Sequence, residues 1–158
     1  MSTLPPSARR TPVAERVLLV GESNPYGADP RFALYPEPPG CAGARLCAIL
    51  GMTDREYLRT FDRVNLLGNG RWSLPAAREA AQTVTARYRV LLGARVAAAH
   101  GVPFLPFYRC APPWLEAGPQ NWLVLPHPSG RSRLWNEPGA AERARRLVLA
   151  LVAEVRGA

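Results

Sequence analysis

Three short segments hold the residue types that do chemistry. The first is Gly21-Glu22-Ser23-Asn24-Pro25-Tyr26-Gly27. Its carboxylate, Glu22, is a candidate general base, and its carboxamide, Asn24, can hold a water. Pro25 fixes the turn, and Tyr26 offers a rigid wall for a flat ligand. The second is Val64-Asn65-Leu66-Leu67. A carboxamide in an apolar run must find hydrogen-bond partners. Asn65 offers both a donor and an acceptor, the pattern that matches a pyrimidine edge. The third is Pro126-His127-Pro128-Ser129-Gly130-Arg131-Ser132-Arg133. Here an imidazole sits in a stiff frame, followed by backbone N–H groups, hydroxyls and cations suited to phosphate.

Each segment also has a plainer reading. The first is a Gly/Asn/Pro turn, the second an asparagine bonded to a neighbouring loop, the third a solvated basic loop. The other histidine, His100, sits at a helix end before Gly101 and reads as structural.

The elements that must position these residues alternate. Apolar runs at 16–21, 63–67, 88–92 and 122–125 read as four strands, the first ending in Gly21 and the next two followed by Gly68 and Gly93. Helical patterns occupy 42–50, 54–60, a stretch from Ser73 to about 86, and 94–100. A final helix begins near Asn136 and Pro138, with Ala144, Leu147, Val148, Leu151, Val152 and Val155 on one stripe. The proline-rich stretch 103–120 reads as mostly irregular, and 22–40 as loop. Strands alternating with helices predict an α/β fold, a three-layer α/β/α sandwich around a mainly parallel four-stranded sheet. In such sheets a ligand site lies at the carboxyl ends of the strands, where the three segments cluster.

Length and composition bound the rest. The 158 residues fit one domain, expected at 15–158 behind a flexible Pro/Ser/Arg-rich arm at 1–14. No apolar run approaches a membrane span, and the first residues hold no apolar stretch, so a cytoplasmic protein is the expectation. The formal charge is +8, and all 20 basic residues are arginine. Codon bias in a GC-rich genome accounts for most of that choice, but guanidinium groups also suit bidentate phosphate contact. Cysteines at 41, 47 and 110 form no C-x-x-C and are one ligand short of a zinc or iron–sulfur site. No metal or cofactor is expected, and the thiols read as free.

Together the segments resemble the motifs of the uracil-DNA glycosylase superfamily. SNPYG is similar to its first motif, a strand ending in a G-x-D/N-P-Y/G element. HPSGRS resembles its second, an H/N-P-S followed by a DNA-wedge residue. VNLL is similar to the strand that presents the base-reading asparagine, and YRVLLGARVAAAHG to the strand–Leu-Gly–helix segment. Order and spacing match over roughly residues 16–135.

The resemblance implies roles. Asn24 falls on the position that orients the attacking water or steadies the sugar cation. His127 falls on the position that hydrogen-bonds the departing base, and Asn65 on the base-edge reader. Tyr26 matches a residue packed beside C5 of the base, and Tyr35 is a candidate for its face. Ser129, Gly130, Arg131, Ser132 and Arg133 are the expected DNA contacts. DNA is the expected partner of a monomer. With no lysine for a Schiff base, the implied reaction is monofunctional and uses water. DNA repair is the expected role.

Three departures qualify the match. Three residues separate Gly21 from Pro25 where the family usually has two. Either Glu22 or Asn24 can therefore face the sugar; Asn24 is favoured because it directly precedes Pro-Tyr, and Glu22 is the base if it points inward. Arg131 stands at the wedge position, where many members have an apolar residue. The loop 28–43 is long and proline-rich, lies outside the matched motifs, and suits a pocket for a different base, including a bulky modified pyrimidine. Two further readings follow: a glycosylase for hypoxanthine, xanthine or a hypermodified phage base, acting in defence, and a DNA-binding member without catalysis.

Overall fold

The computed structural model describes residues 15–24, 27–68, 71–112 and 119–157. The expected arm at 1–14 lies outside the described residues, as do Pro25 and Tyr26.

Among the described residues, five strands form one sheet: β1 (Val17–Gly21), β2 (Phe61–Asn65), β3 (Tyr88–Leu92), β4 (Tyr108–Cys110) and β5 (Asn121–Leu125). Their spatial order is β2-β1-β3-β5-β4. β1, β2, β3 and β5 run parallel, and β4 pairs antiparallel with β5. The helices are α1 (Ala42–Leu50), α2 (Asp54–Thr60), α3 (Leu74–Thr83), α4 (Ala94–Ala99) and α5 (Ala140–Gly157).

Side-chain alternation along the strands builds the layers. Val17, Leu19, Val90, Leu92, Leu123 and Leu125 point to one face, where they meet α1, α2 and α5. Leu18, Val20, Leu91, Trp122 and Val124 point to the other, against α3 and α4. Burial on both faces explains why these strands read as continuous apolar runs. The expected stripe on α5 is the buried one: Ala144, Val148, Leu151, Val152 and Val155, with Leu147 partly covered.

Local chemistry sets the helix ends. The Cys41 thiol caps α1, and Gly51 ends it in the left-handed region at φ 64°. Thr53 and Glu56 form a reciprocal capping box on α2, and Ser73 caps α3 ahead of Pro75.

The expected four-stranded sheet is corrected to five. The added strand, β4, lies in the stretch read as irregular. There the chain reverses through Phe107, at φ 66°, whose N–H bonds Val124 O, and returns along the sheet edge. Three half-exposed residues carry too little pattern to read as a strand. β2 also starts earlier than expected, because α2 runs into it without a loop, so Asn65 closes the strand. α5 starts later than expected, after a 3-10 turn at Arg133–Asn136.

Parallel pairing places the functional segments together. Gly21 is in register with Asn65, and Leu92 with Leu125. The chain leaves β1 for β2 on one side, then crosses to β3 on the other. The β1/β3 junction is thus the switch point, where an open α/β sheet forms a crevice.

Candidate active site

A cleft of about 1390 Å³ opens at the carboxyl ends of the parallel strands. β1 leads into Glu22, Ser23 and Asn24, β2 ends on Asn65, β3 leads into Gly93 and Arg95, and β5 leads into His127, Ser129 and Arg131; all line this cleft. Tyr35 lines it from the long loop.

The cleft is lined in part by a carboxylate–imidazole pair. Glu22 Oε2 lies 3.7 Å from His127 Nε2, and Glu22 Oε1 lies 3.8 Å from Arg95 Nε. The His127 backbone is held by the Trp135 indole, which donates to its carbonyl at 2.8 Å. The Ser129 N–H lies 3.1 Å from His127 Nδ1. A backbone N–H can only donate, so Nδ1 accepts and the neutral ring carries its proton on Nε2, the nitrogen nearest Glu22. Burial holds the imidazole below its ordinary 6.5; Glu22 opposes that shift, and Arg131 and Arg95 add to it. His127 is therefore a neutral N–H donor at pH 7.

Two glycines make room for these side chains. A Cβ on Gly21 would stand 2.5 Å from Asn65 Oδ1, so the missing side chain admits the Asn65 carboxamide. Gly93 sits at φ 100° with His127 Cβ 3.2 Å from where its own Cβ would be. Gly93→Ala carries the strain of a positive φ and pushes on the imidazole. We expect a loss of about 1–3 kcal/mol in urea unfolding. Unchanged stability would show that the β3–α4 turn relaxes freely.

The proline-rich loop forms the opposite wall, fixed by a ladder of side chains. Asn24 Nδ2 donates to Phe32 O at 3.2 Å, and Arg63 Nη1 to Ala33 O at 2.8 Å. Tyr57 Oη donates to Leu34 O at 2.7 Å, and the Cys41 thiol to Tyr35 O at 3.3 Å. Four consecutive carbonyls are thus each held by a different part of the chain. The Arg63 guanidinium also lies over the Tyr35 ring, 5.6 Å from its centroid. Gly43 completes the fit, since a Cβ there would overlap the carbonyl oxygens of Leu34 and Tyr35.

Of the residues singled out from the sequence, the cleft brings together Glu22, Asn24, Tyr35, Asn65, His127, Ser129 and Arg131. Asn24 is 7% exposed and engaged with the loop backbone. Gly130 and Arg133 are exposed and Ser132 half-buried; none of the three lines the cleft. Tyr26 lies outside the described residues. His100 packs edge-on to Trp122, 5.1 Å between centroids, as a structural residue.

Sequence reasoning did not single out Arg95 or Arg45. Arg45 packs its guanidinium against Gly130, 2.9 Å from where a Cβ would lie, adding a cation beside the basic loop. Neither arginine stands out in a chain whose every basic residue is arginine.

Among the described residues, no helix is long and apolar enough to cross a membrane. No protein-family model matches the chain, and no curated protein matches it.

Proposed function

We propose that the chain is a monofunctional DNA glycosylase that hydrolyses the N-glycosidic bond of a base flipped out of DNA. The observation that carries this reading is the Glu22–His127 pair, 3.7 Å apart, in a cleft shared with Asn65 and Tyr35. Breaking the C1′–N bond leaves positive charge on the sugar and sends the electron pair to the base. A neutral Nε2–H from His127 is the donor type that stabilises that anion. Glu22 takes a proton from the attacking water, whose oxygen bonds C1′, and the products are an abasic sugar and the free, reprotonated base. Asn65 reads the base edge and Tyr35 packs on its face. Asn24 holds the loop wall through Phe32, which favours Glu22 over it as the base.

A base within a duplex is out of reach and has to be flipped at a cost of a few kcal/mol. Ser129, Ser132 and arginines 133 and 45 supply phosphate contacts that offset this, and Arg131 fills the vacated stack. The protein acts in the cytoplasm, as a monomer, with DNA repair as its role.

A second reading concerns the base. The cleft exceeds the roughly 300–1,000 Å³ of ordinary small-molecule sites. Its lining also includes Glu37, Pro38 and Asp54, and this room favours a modified base larger than uracil.

Single- and double-stranded oligonucleotides carrying uracil, hypoxanthine, xanthine or bulky 5-substituted pyrimidines test both readings. The expected products are alkali-labile abasic sites and free base from at least one of them. DNA binding that weakens with salt, with no abasic product on any base, would instead make the chain a non-catalytic DNA-binding member.

A further inference from the structure

We propose that Arg95 is a positioning residue: it holds one carboxylate oxygen of Glu22 so that the other stays turned to His127. The catalytic consequence rests on the glycosylase reading above; the arrangement itself is tested without turnover.

The two oxygens of Glu22 are divided between the two neighbours. Oε1 lies 3.8 Å from Arg95 Nε and Oε2 lies 3.7 Å from His127 Nε2. A glutamate on a loop has three side-chain torsions, and a single partner leaves it free to swing about that contact. Two partners on opposite oxygens, both at ion-pair distance, bias the orientation of the carboxylate. The neutral imidazole is the weaker partner, so the orienting charge has to come from the guanidinium.

Arg95 is itself supported. It sits in the first turn of α4, directly after the Gly93 turn that packs on His127, so one short segment sets both distances. Its guanidinium lies 5.8 Å from the centroid of the Trp72 ring, which limits where the charge can go. The charged groups acting on the imidazole are Glu22 on the β1 loop, Arg95 on α4 and Arg131 on its own loop. Arg95 is the one that also pairs with Glu22.

Proton NMR provides a direct readout, since the chain holds two histidines and His127→Gln assigns one of them. Glu22 favours the charged imidazole, so Glu22→Gln lowers the His127 midpoint in the otherwise native protein. If Arg95 holds Glu22 in place, the same substitution in an Arg95→Met background loses at least half of that shift, because the freed carboxylate no longer stays beside the ring. This is a double-mutant cycle read on a single proton. Equal shifts in the two backgrounds would mean that Arg95 acts as an independent charge, and would overturn the proposal.

The kinetic counterpart uses whichever base the protein excises. Arg95→Met lowers kcat about tenfold with KM within about twofold, and Arg95→Lys recovers most of the loss. A raised KM with unchanged kcat and a shallower salt dependence would make Arg95 a phosphate contact, and would also overturn the proposal. Should no base be excised, the glycosylase reading fails while the NMR cycle still decides the role of Arg95.

Discussion

His127→Ala is expected to slow single-turnover base excision by about 10²–10³-fold with little change in DNA affinity, the effect of removing one preorganised donor to a developing anion. The geometry makes the loss specific to the transition state. Nδ1 accepts from the Ser129 N–H at 3.1 Å, leaving Nε2–H as the donor facing the cleft. The negative charge it serves exists only once the glycosidic bond stretches, so substrate binding is barely affected. Glu22→Gln is expected to cost about 10²–10⁴-fold, since an amide cannot take the proton of the attacking water. Because both groups serve one bond-breaking event, Glu22→Gln/His127→Ala falls well short of the product of the single losses. Asn24→Ala separates the two candidates for the base. It loosens the Phe32 tether and lowers the rate less than Glu22→Gln does. A larger loss for Asn24→Ala, with both variants folded, would return the base position to residue 24. Burial lowers the His127 midpoint from its ordinary value, so the neutral Nε2–H donor persists at pH 7 and kcat/KM stays flat on this group's account between pH 7 and 8.

The second large effect is on stability in acid, and it comes from His100. Burial drives its pKa from 6.5 to about 4, and the nearby Arg89 cation pushes the same way, against the bond to Val96 O. His100 Nδ1 lies 2.8 Å from that carbonyl and so carries the proton, while Nε2 is buried with no hydrogen-bond partner among the described residues. A second proton would place an unsatisfied N–H and a charge beside Arg89, itself 5% exposed. Arg89 lies over the Trp122 ring that His100 also touches, and donates to the Ala86 and Val84 carbonyls at the end of α3. The unfolded chain takes the proton near 6.5 and the folded protein only near 4. Stability is therefore complete above about 6.5, falls as pH drops between those values, and levels off below about 4. The difference between the two values corresponds to about 3 kcal/mol. Urea midpoints at pH 7 and pH 4, for the native chain and His100→Phe, measure it. The native chain is expected to lose about 3 kcal/mol more than the variant over that interval. An equal loss in both would show that the acid sensitivity lies elsewhere.

How much of this was open to the sequence depends on whether the information is local. The parallel strands are buried on both faces, so their apolar runs are visible in one dimension, and the caps at Ser73 and Gly51 are chemistry between near neighbours. The three segments at the strand ends were legible because parallel strands bring their carboxyl ends to one edge whatever the loops do. β4 was not: three residues at a sheet edge have no period to read, and its strand character comes from pairing with β5.

The choice between Glu22 and Asn24 shows the boundary most clearly. Both lie within three residues of Gly21, and composition and spacing left both in play. Which one meets His127 depends on contacts across the chain: Arg95 at one oxygen of Glu22, and Phe32 O drawing the amide of Asn24 to the wall. The ladder that holds carbonyls 32–35 likewise joins residues 24, 63, 57 and 41, which no periodicity connects. The amino-acid order alone therefore determined the layers, the strand ends and the residue types gathered there, because those follow from burial and local geometry. The tertiary structure decided whether the carboxylate of Glu22 or the carboxamide of Asn24 faces the imidazole and how large a cleft they share, because distances between side chains on different elements are set only when the elements pack.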